Sequence, residues 1–185
     1  MKSKTILIVL CIGLWLNSTF SQEVEKSIFG VQTGFLGVWV NHELSLNHHW
    51  VLHTEFGLDG VLSRIVDNGD FPIILPMVSF QPRYYYNLPK RQAEMKEIFD
   101  NSGNYFAINF LYYPNFLSYS TQEDINIKNG LFIMPTWGIR RNFNRYFYYE
   151  LGAGAGFNIS GISEIQGKEG VLIYNILARV GYKIF

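Results

Sequence analysis

Six charged residues are spaced as though they share one polar compartment: Glu43, Glu55, Arg83, Arg140, Glu150 and Arg179, with His53, Asp59 and Lys183 nearby. Three carboxylates facing three guanidiniums can be buried together only if each finds a partner, since breaking one buried pair costs about 3–5 kcal/mol. Arginine suits that role, because its planar fork meets a carboxylate with two hydrogen bonds. The chemistry expected of the set is therefore charge pairing inside a narrow space. His53 and Glu55, two apart, could also pair a base with a carboxylate. A base of that kind works only beside a nucleophile it can activate, and no nucleophile motif accompanies it. His42, His48 and His49 lack the accompanying cysteines or carboxylates of a metal site and are expected in a wet turn. Gly152-Ala153-Gly154-Ala155-Gly156 lacks the spacing of a nucleotide-binding loop, so no cofactor is expected. These small residues are instead expected to clear space for arginine side chains or tyrosine rings.

The elements that must position these groups are strands. From Leu131 to Asn158 the chain reads LFIMPTWGIRRNFNRYFYYELGAGAGFN, two strands around a polar turn at Asn142–Arg145. Leu131, Ile133, Pro135, Trp137 and Ile139 alternate with Met134, Thr136, Gly138 and Arg140. Phe147, Tyr149, Leu151, Ala153, Ala155 and Phe157 alternate with Tyr148, Glu150, Gly152, Gly154, Gly156 and Asn158. A period of two marks a strand with unlike faces. Here one face is apolar and the other carries an arginine, a glutamate and glycines, which suits the wall of a transmembrane barrel with a polar lumen.

Similar alternation runs through Trp50–Leu62, Pro76–Leu88, Tyr105–Tyr113 and Val171–Phe185. Ser27–Leu46 is about twice the 9–11 residues that cross a bilayer. Gly34 and Gly37 would let it divide into a hairpin. The split raises the count from seven to eight, the even number expected of a bacterial barrel. Pro82, which has no amide to donate, predicts a bulge, and Arg91–Phe99 a short helix within the long connection Pro89–Asn104. The outward loops Ser63–Asp70, Ser118–Asn129 and Ile159–Gly170 are short for an adhesin.

The chain has 185 residues, of which 17% are aromatic and only 16% charged, against about 25% charged in ordinary soluble domains. Fifteen basic and fifteen acidic residues leave no basic footprint for nucleic acid. Lys2 and Lys4, the apolar run Ile6–Leu16 and Thr19-Phe20-Ser21 read as a signal peptide over residues 1–21, cleaved before Gln22. Cys11 lies inside that run. Residues 22–185 form one domain. Trp50, Tyr84, Tyr86, Tyr149 and Tyr182 fall at strand ends on one side, as an aromatic girdle would, together with Tyr85, Tyr105 and Tyr146–Tyr149. Tyr112, Phe116, Tyr119, Phe157 and Tyr174 would form the opposite girdle.

With these strands and the last segment NILARVGYKIF, the chain resembles small outer-membrane β-barrel proteins of Gram-negative bacteria. The blocks QPRYYYN, at Gln81–Asn87, and PTWGIRRN, at Pro135–Asn142, resemble a group of such barrels without an established activity. The resemblance covers residues 24–185. It implies an all-β, antiparallel, eight-stranded transmembrane barrel in the outer membrane, a monomer in contact with lipid. It also implies recognition of the last strand by the barrel assembly machinery, although the outward register there ends on Ile184 and leaves Phe185 out of step. The expected role is structural or interactive in the cell envelope. The alternatives are a narrow solute channel and a lipid-modifying enzyme, with a soluble sandwich as a rival fold.

Overall fold

A computed structural model describes residues 24–35, 37–63, 71–115, 119–120, 129–159 and 172–185. The signal-peptide reading and most of the three short loops therefore lie outside the described residues. The wall strands are β1 (Ser27–Gly34), β2 (Gly37–Ser45), β3 (Trp50–Ser63), β4 (Phe71–Tyr85) and β5 (Asn104–Tyr113), then β7 (Gly130–Asn142), β8 (Phe147–Asn158) and β9 (Leu172–Lys183). A two-residue strand, β6 (Tyr119–Ser120), runs beside β4. Every pairing is antiparallel, and β1 pairs with β9 as well as with β2, so eight strands close on themselves. Ser27–Leu46 is two strands, with Gly34 and Gly37 at the break. No described helix is long and apolar enough to cross a membrane.

Closure at the β1–β9 seam uses one extra residue. The carbonyl of Phe29 accepts from the amides of both Ile184 (2.8 Å) and Phe185 (3.4 Å), while its own amide donates to the Phe185 carbonyl at 2.7 Å. Two residues opposing one is a β-bulge. It returns Phe185 to the outer surface, where its ring stacks on Phe29 at 5.2 Å. The out-of-step terminal register is thus absorbed by the bulge.

Pro82 does not produce the expected bulge. The β3–β4 register runs unbroken through Leu52 and Pro82. Between β4 and β5 the pairing lapses at Gln81 and Pro82 and resumes at Arg83–Ala107 with the same offset. The missing donor opens the ladder locally without inserting a residue. The long connection also differs from expectation. Its helix, α1 (Leu88–Ala93), starts earlier, with Pro89 in the first turn where its missing amide costs nothing. A 3-10 turn follows at Phe99–Asn101. Met95, Asp100 and Asn101 have left-handed φ values of 53°, 48° and 59°, a conformation that Asn and Asp tolerate better than other side chains. On its exposed side Lys96 donates to Glu94 at 2.7 Å and holds that carboxyl below the usual carboxylate range.

Two apolar layers bracket the interior. At the end carrying α1, Val24, Val51, Tyr85, Leu88, Tyr105 and Ala107 pack together. At the far end Trp39, Met77 and Leu111 meet Tyr113 and Phe132. The glycines work differently from the expectation drawn above. A Cβ at Gly152, Gly154 or Gly156 would meet mainly the β7 backbone or the Thr136 and Met134 side chains. Gly138 and Gly181, in contrast, make room for the Tyr105 and Tyr148 rings. Gly→Ala in a strand is ordinarily favourable by roughly 0.5–1 kcal/mol. Gly181→Ala should instead destabilise the fold by about 1–3 kcal/mol through overpacking, read as a lower denaturation midpoint in detergent.

Candidate functional site: the charged lumen

Alternation places the six expected charged residues on inward faces. Glu43, Glu55, Arg83, Arg140 and Glu150 are buried, and Arg179 nearly so. Each lies on a strand whose outward face is mostly apolar, so burying the polar face follows from exposing the apolar one.

The register makes Glu150 the direct neighbour of both Arg140 and Arg179. Neither gives it its closest ion pair. Glu150 reaches across to Arg83, whose Nη1 donates to Oε1 at 2.5 Å, and accepts from Tyr105 (3.1 Å) and Gln32 (2.5 Å). Arg179 donates instead to Glu55. Arg140 approaches Glu43, with Nη1 3.3 Å from Oε1. The expected approach of Arg140 and Glu150 across their hairpin thus holds for the backbone, while the side chains choose partners across the lumen. Strand neighbours lie side by side along the wall, and long side chains pointing inward meet the opposite wall.

Glu43 is the hub. Its Oε1 accepts from Arg83 Nη1 (2.9 Å) and Tyr85 OH (3.1 Å) and contacts His53 Nδ1 (3.2 Å). Its Oε2 accepts from Asn101 Nδ2 at 2.8 Å. His53, opposite Glu43 in the β2–β3 register, also places Nε2 2.9 Å from Glu55. A ring between two acceptors donates to both only when both nitrogens carry protons. The imidazole is buried between two carboxylates.

Each arginine also lies over an aromatic ring: Arg83 over Tyr105 (4.4 Å), Arg140 over Tyr148 (3.8 Å) and Arg179 over Trp39 (3.9 Å). Such stacking favours a desolvated guanidinium. Asp59, half-buried, accepts from Trp39 Nε1 (2.7 Å) and Tyr113 OH (2.6 Å). Lys183 pairs at 2.7 Å with Asp100 in the 3-10 turn.

Sequence reasoning missed several members. Gln32, Asn41, Ser79, Gln81 and Asn109 are buried polar residues that complete the network; strand parity was the signal that could have found them. Asp100 and Asn101 gave no such signal, since they sit in an irregular connection. Tyr85, Tyr105 and Tyr148, expected in the girdle, are instead buried and turn inward. Trp50, Tyr84, Tyr86, Tyr149 and Tyr182 remain on the outer surface. Trp50 packs on Tyr84 at 5.2 Å, Tyr86 on Phe106 at 5.1 Å, Tyr149 on Phe143 at 5.0 Å and Tyr182 on Phe147 at 5.1 Å. Of the opposite group, Tyr112, Phe157 and Tyr174 are exposed, while Phe116 lies outside the described residues and the Tyr119 side chain is not described. His42 belongs to β2, not to a turn, and lies 2.9 Å from Ser27 Oγ. Among the described residues no group of three side chains is placed to hold a metal ion.

Fold and interior together define a closed, eight-stranded antiparallel barrel with an ion-paired polar core. No family model, curated protein or solved structure matches the chain.

Proposed function

We propose that the chain is an integral outer-membrane β-barrel with a closed, charge-paired lumen, serving the architecture or interactions of the cell envelope. One observation carries the reading: the barrel is inverted relative to a soluble protein. Glu43, Glu55, Arg83, Arg140, Glu150 and Arg179 are inside, while Val38, Leu44, Phe56, Leu58, Phe80, Phe106, Ile108, Leu151, Ile176 and Val180 are exposed on the outer wall. Arg141 is the only charged side chain on the outward faces of the described wall, and it sits at a strand end, donating to Asn104 Oδ1 at 2.5 Å. A continuous apolar surface of this kind calls for a partner or a membrane, and the ring pairs at the strand ends suit a membrane–water interface.

A charge at the middle of β5 tests the reading. If the outer wall faces lipid, Ile108→Arg should reduce folding stability in vesicles by about 2–4 kcal/mol. A soluble barrel would carry the same arginine in water at little cost. Membrane fractionation with heat-modifiable gel migration should place the unaltered protein in the membrane as a compact barrel; recovery only in the soluble fraction would overturn the proposal. The packed lumen supports a closed state, so planar bilayers should show no steady conductance. Open channels there would favour the solute-path alternative, and altered lipid A in the presence of the protein would favour an enzyme.

A further inference from the structure

Arg141 is a cation on an apolar wall. It follows Trp137 and Ile139 on the outward face of β7, opposite Tyr149 of β8. Its Nη1 donates to the Arg140 carbonyl at 2.6 Å and its Nη2 to Asn104 Oδ1 at 2.5 Å. Two neutral acceptors aim the guanidinium without balancing its charge, and its other N–H groups remain available.

The groups around it are also donors. The Tyr86 hydroxyl accepts from Trp137 Nε1 at 3.0 Å and from Asn104 Nδ2 at 3.2 Å, which leaves its own proton to give. Arg91 is a second cation close enough to repel Arg141. Its amide donates to the Asn87 carbonyl at 3.0 Å, while Asn87 Oδ1 takes the Asn104 amide at 2.6 Å. One asparagine thus ties α1 to the residue that steers Arg141. The Arg91 guanidinium meets only the Glu97 carbonyl, at 3.2 Å from Nε and 2.8 Å from Nη2. Among the described residues neither arginine has a carboxylate partner. Glu94, at the end of α1, is held by Lys96 at 2.7 Å and faces Lys90 at 3.9 Å.

Two unbalanced guanidiniums beside a hydroxyl donor suit a phosphate, whose oxygens accept the arginine fork. What surrounds them selects its source. The Tyr86 ring stacks on Phe106 at 5.1 Å, and exposed Phe106, Ile108 and Leu151 continue the wall toward its middle. A free phosphate would use the donors alone, whereas a phospholipid uses the donors and the apolar surface together. We propose that Arg141, Arg91 and Tyr86 bind the phosphate of a phospholipid headgroup, with its acyl chains along β5, β7 and β8. The site rests on the outer wall facing lipid, and adds which groups hold one lipid there.

Trp137 reports on the site from within. In a Trp50→Phe chain it is the outward tryptophan of the described wall, Trp39 being buried. The folded protein in dodecyl maltoside micelles is titrated with phosphatidylglycerol or diacylglycerol, both brominated on the same acyl carbons. The phospholipid should quench Trp137 at roughly tenfold lower content, the scale of one hydrogen bond to a charged group. Arg141→Gln should abolish that preference while heat-modifiable migration stays that of a folded barrel. Should this variant not fold, Tyr86→Phe, which drops the hydroxyl and keeps the ring, should reduce the preference severalfold. Equal quenching by the two lipids would overturn the site and leave the membrane reading standing. Quenching by neither would overturn both. Loss of the preference on adding inorganic phosphate at the lipid's own concentration would assign the donors to the free ion and overturn the lipid.

Discussion

Glu43→Ala is expected to lower the unfolding free energy by about 3–5 kcal/mol, the scale for removing one partner of a buried charge pair. The substitution does more than delete a pair. It leaves Arg83 with one carboxylate instead of two and takes from Tyr85 and Asn101 the acceptor they share. A buried donor without an acceptor costs roughly 1–3 kcal/mol on its own, so the loss is larger where the lumen cannot rearrange. Denaturant unfolding in micelles, followed through the fluorescence of Trp39, Trp50 and Trp137, would measure it. A loss below about 1 kcal/mol, the worth of a solvent-screened surface pair, would mean that Glu43 is not the hub.

Glu150→Ala should produce a loss of similar size, about 3–5 kcal/mol, and the identity of the stranded cation is the sharper result. Backbone register makes Arg140 the partner, whereas the side chains make it Arg83. Double-mutant cycles separate the two, since residues sharing an interaction show coupling of about 0.5–3 kcal/mol. Glu150→Ala with Arg83→Met should be strongly coupled, and Glu150→Ala with Arg140→Met clearly less so. The opposite ranking would return the pairing to the hairpin. Replacing a buried ion pair by well-packed apolar groups is often neutral or stabilising. The Arg83→Met variant carrying Glu150→Leu should accordingly recover much of the loss from either single change.

Strand number and facing were legible because they follow from local spacing. Alternation from Trp50 to Leu62 or from Phe147 to Asn158 assigns each side chain to a face without knowledge of the rest of the chain. The even strand count divided Ser27–Leu46 correctly, since closure demands it. Parity gives a face but no depth and no partner. Glu150 therefore looked matched to Arg140, although inward side chains of that length reach the opposite wall. Tyr85, two residues beyond Arg83, already had inward parity; grouping it by amino-acid type with the girdle hid this. The buried turn at Phe99–Asn101 was illegible for another reason. Asp100 and Asn101 lie where no period operates, and their partners Lys183 and Glu43 are far away in sequence.

The seam between β1 and β9 has a consequence for how the closed sheet breathes. Among the described residues its register runs for five pairs, Gly30–Lys183 to Gly34–Arg179, the fewest of any wall pairing, against six between β4 and β5, nine between β2 and β3 and fourteen between β3 and β4. A ring of strands opens first along the seam with the fewest pairs, since the fewest ladder hydrogen bonds must part there. The bulge and the Phe29–Phe185 stack act as a clasp at one end of that run, so separation has to start from the Gly34–Arg179 end. What parts is a pair of strand edges with unpaired amides and carbonyls, each able to template a strand from another chain. Among the described wall strands, this least-paired seam is where a second copy would exchange strands with the first.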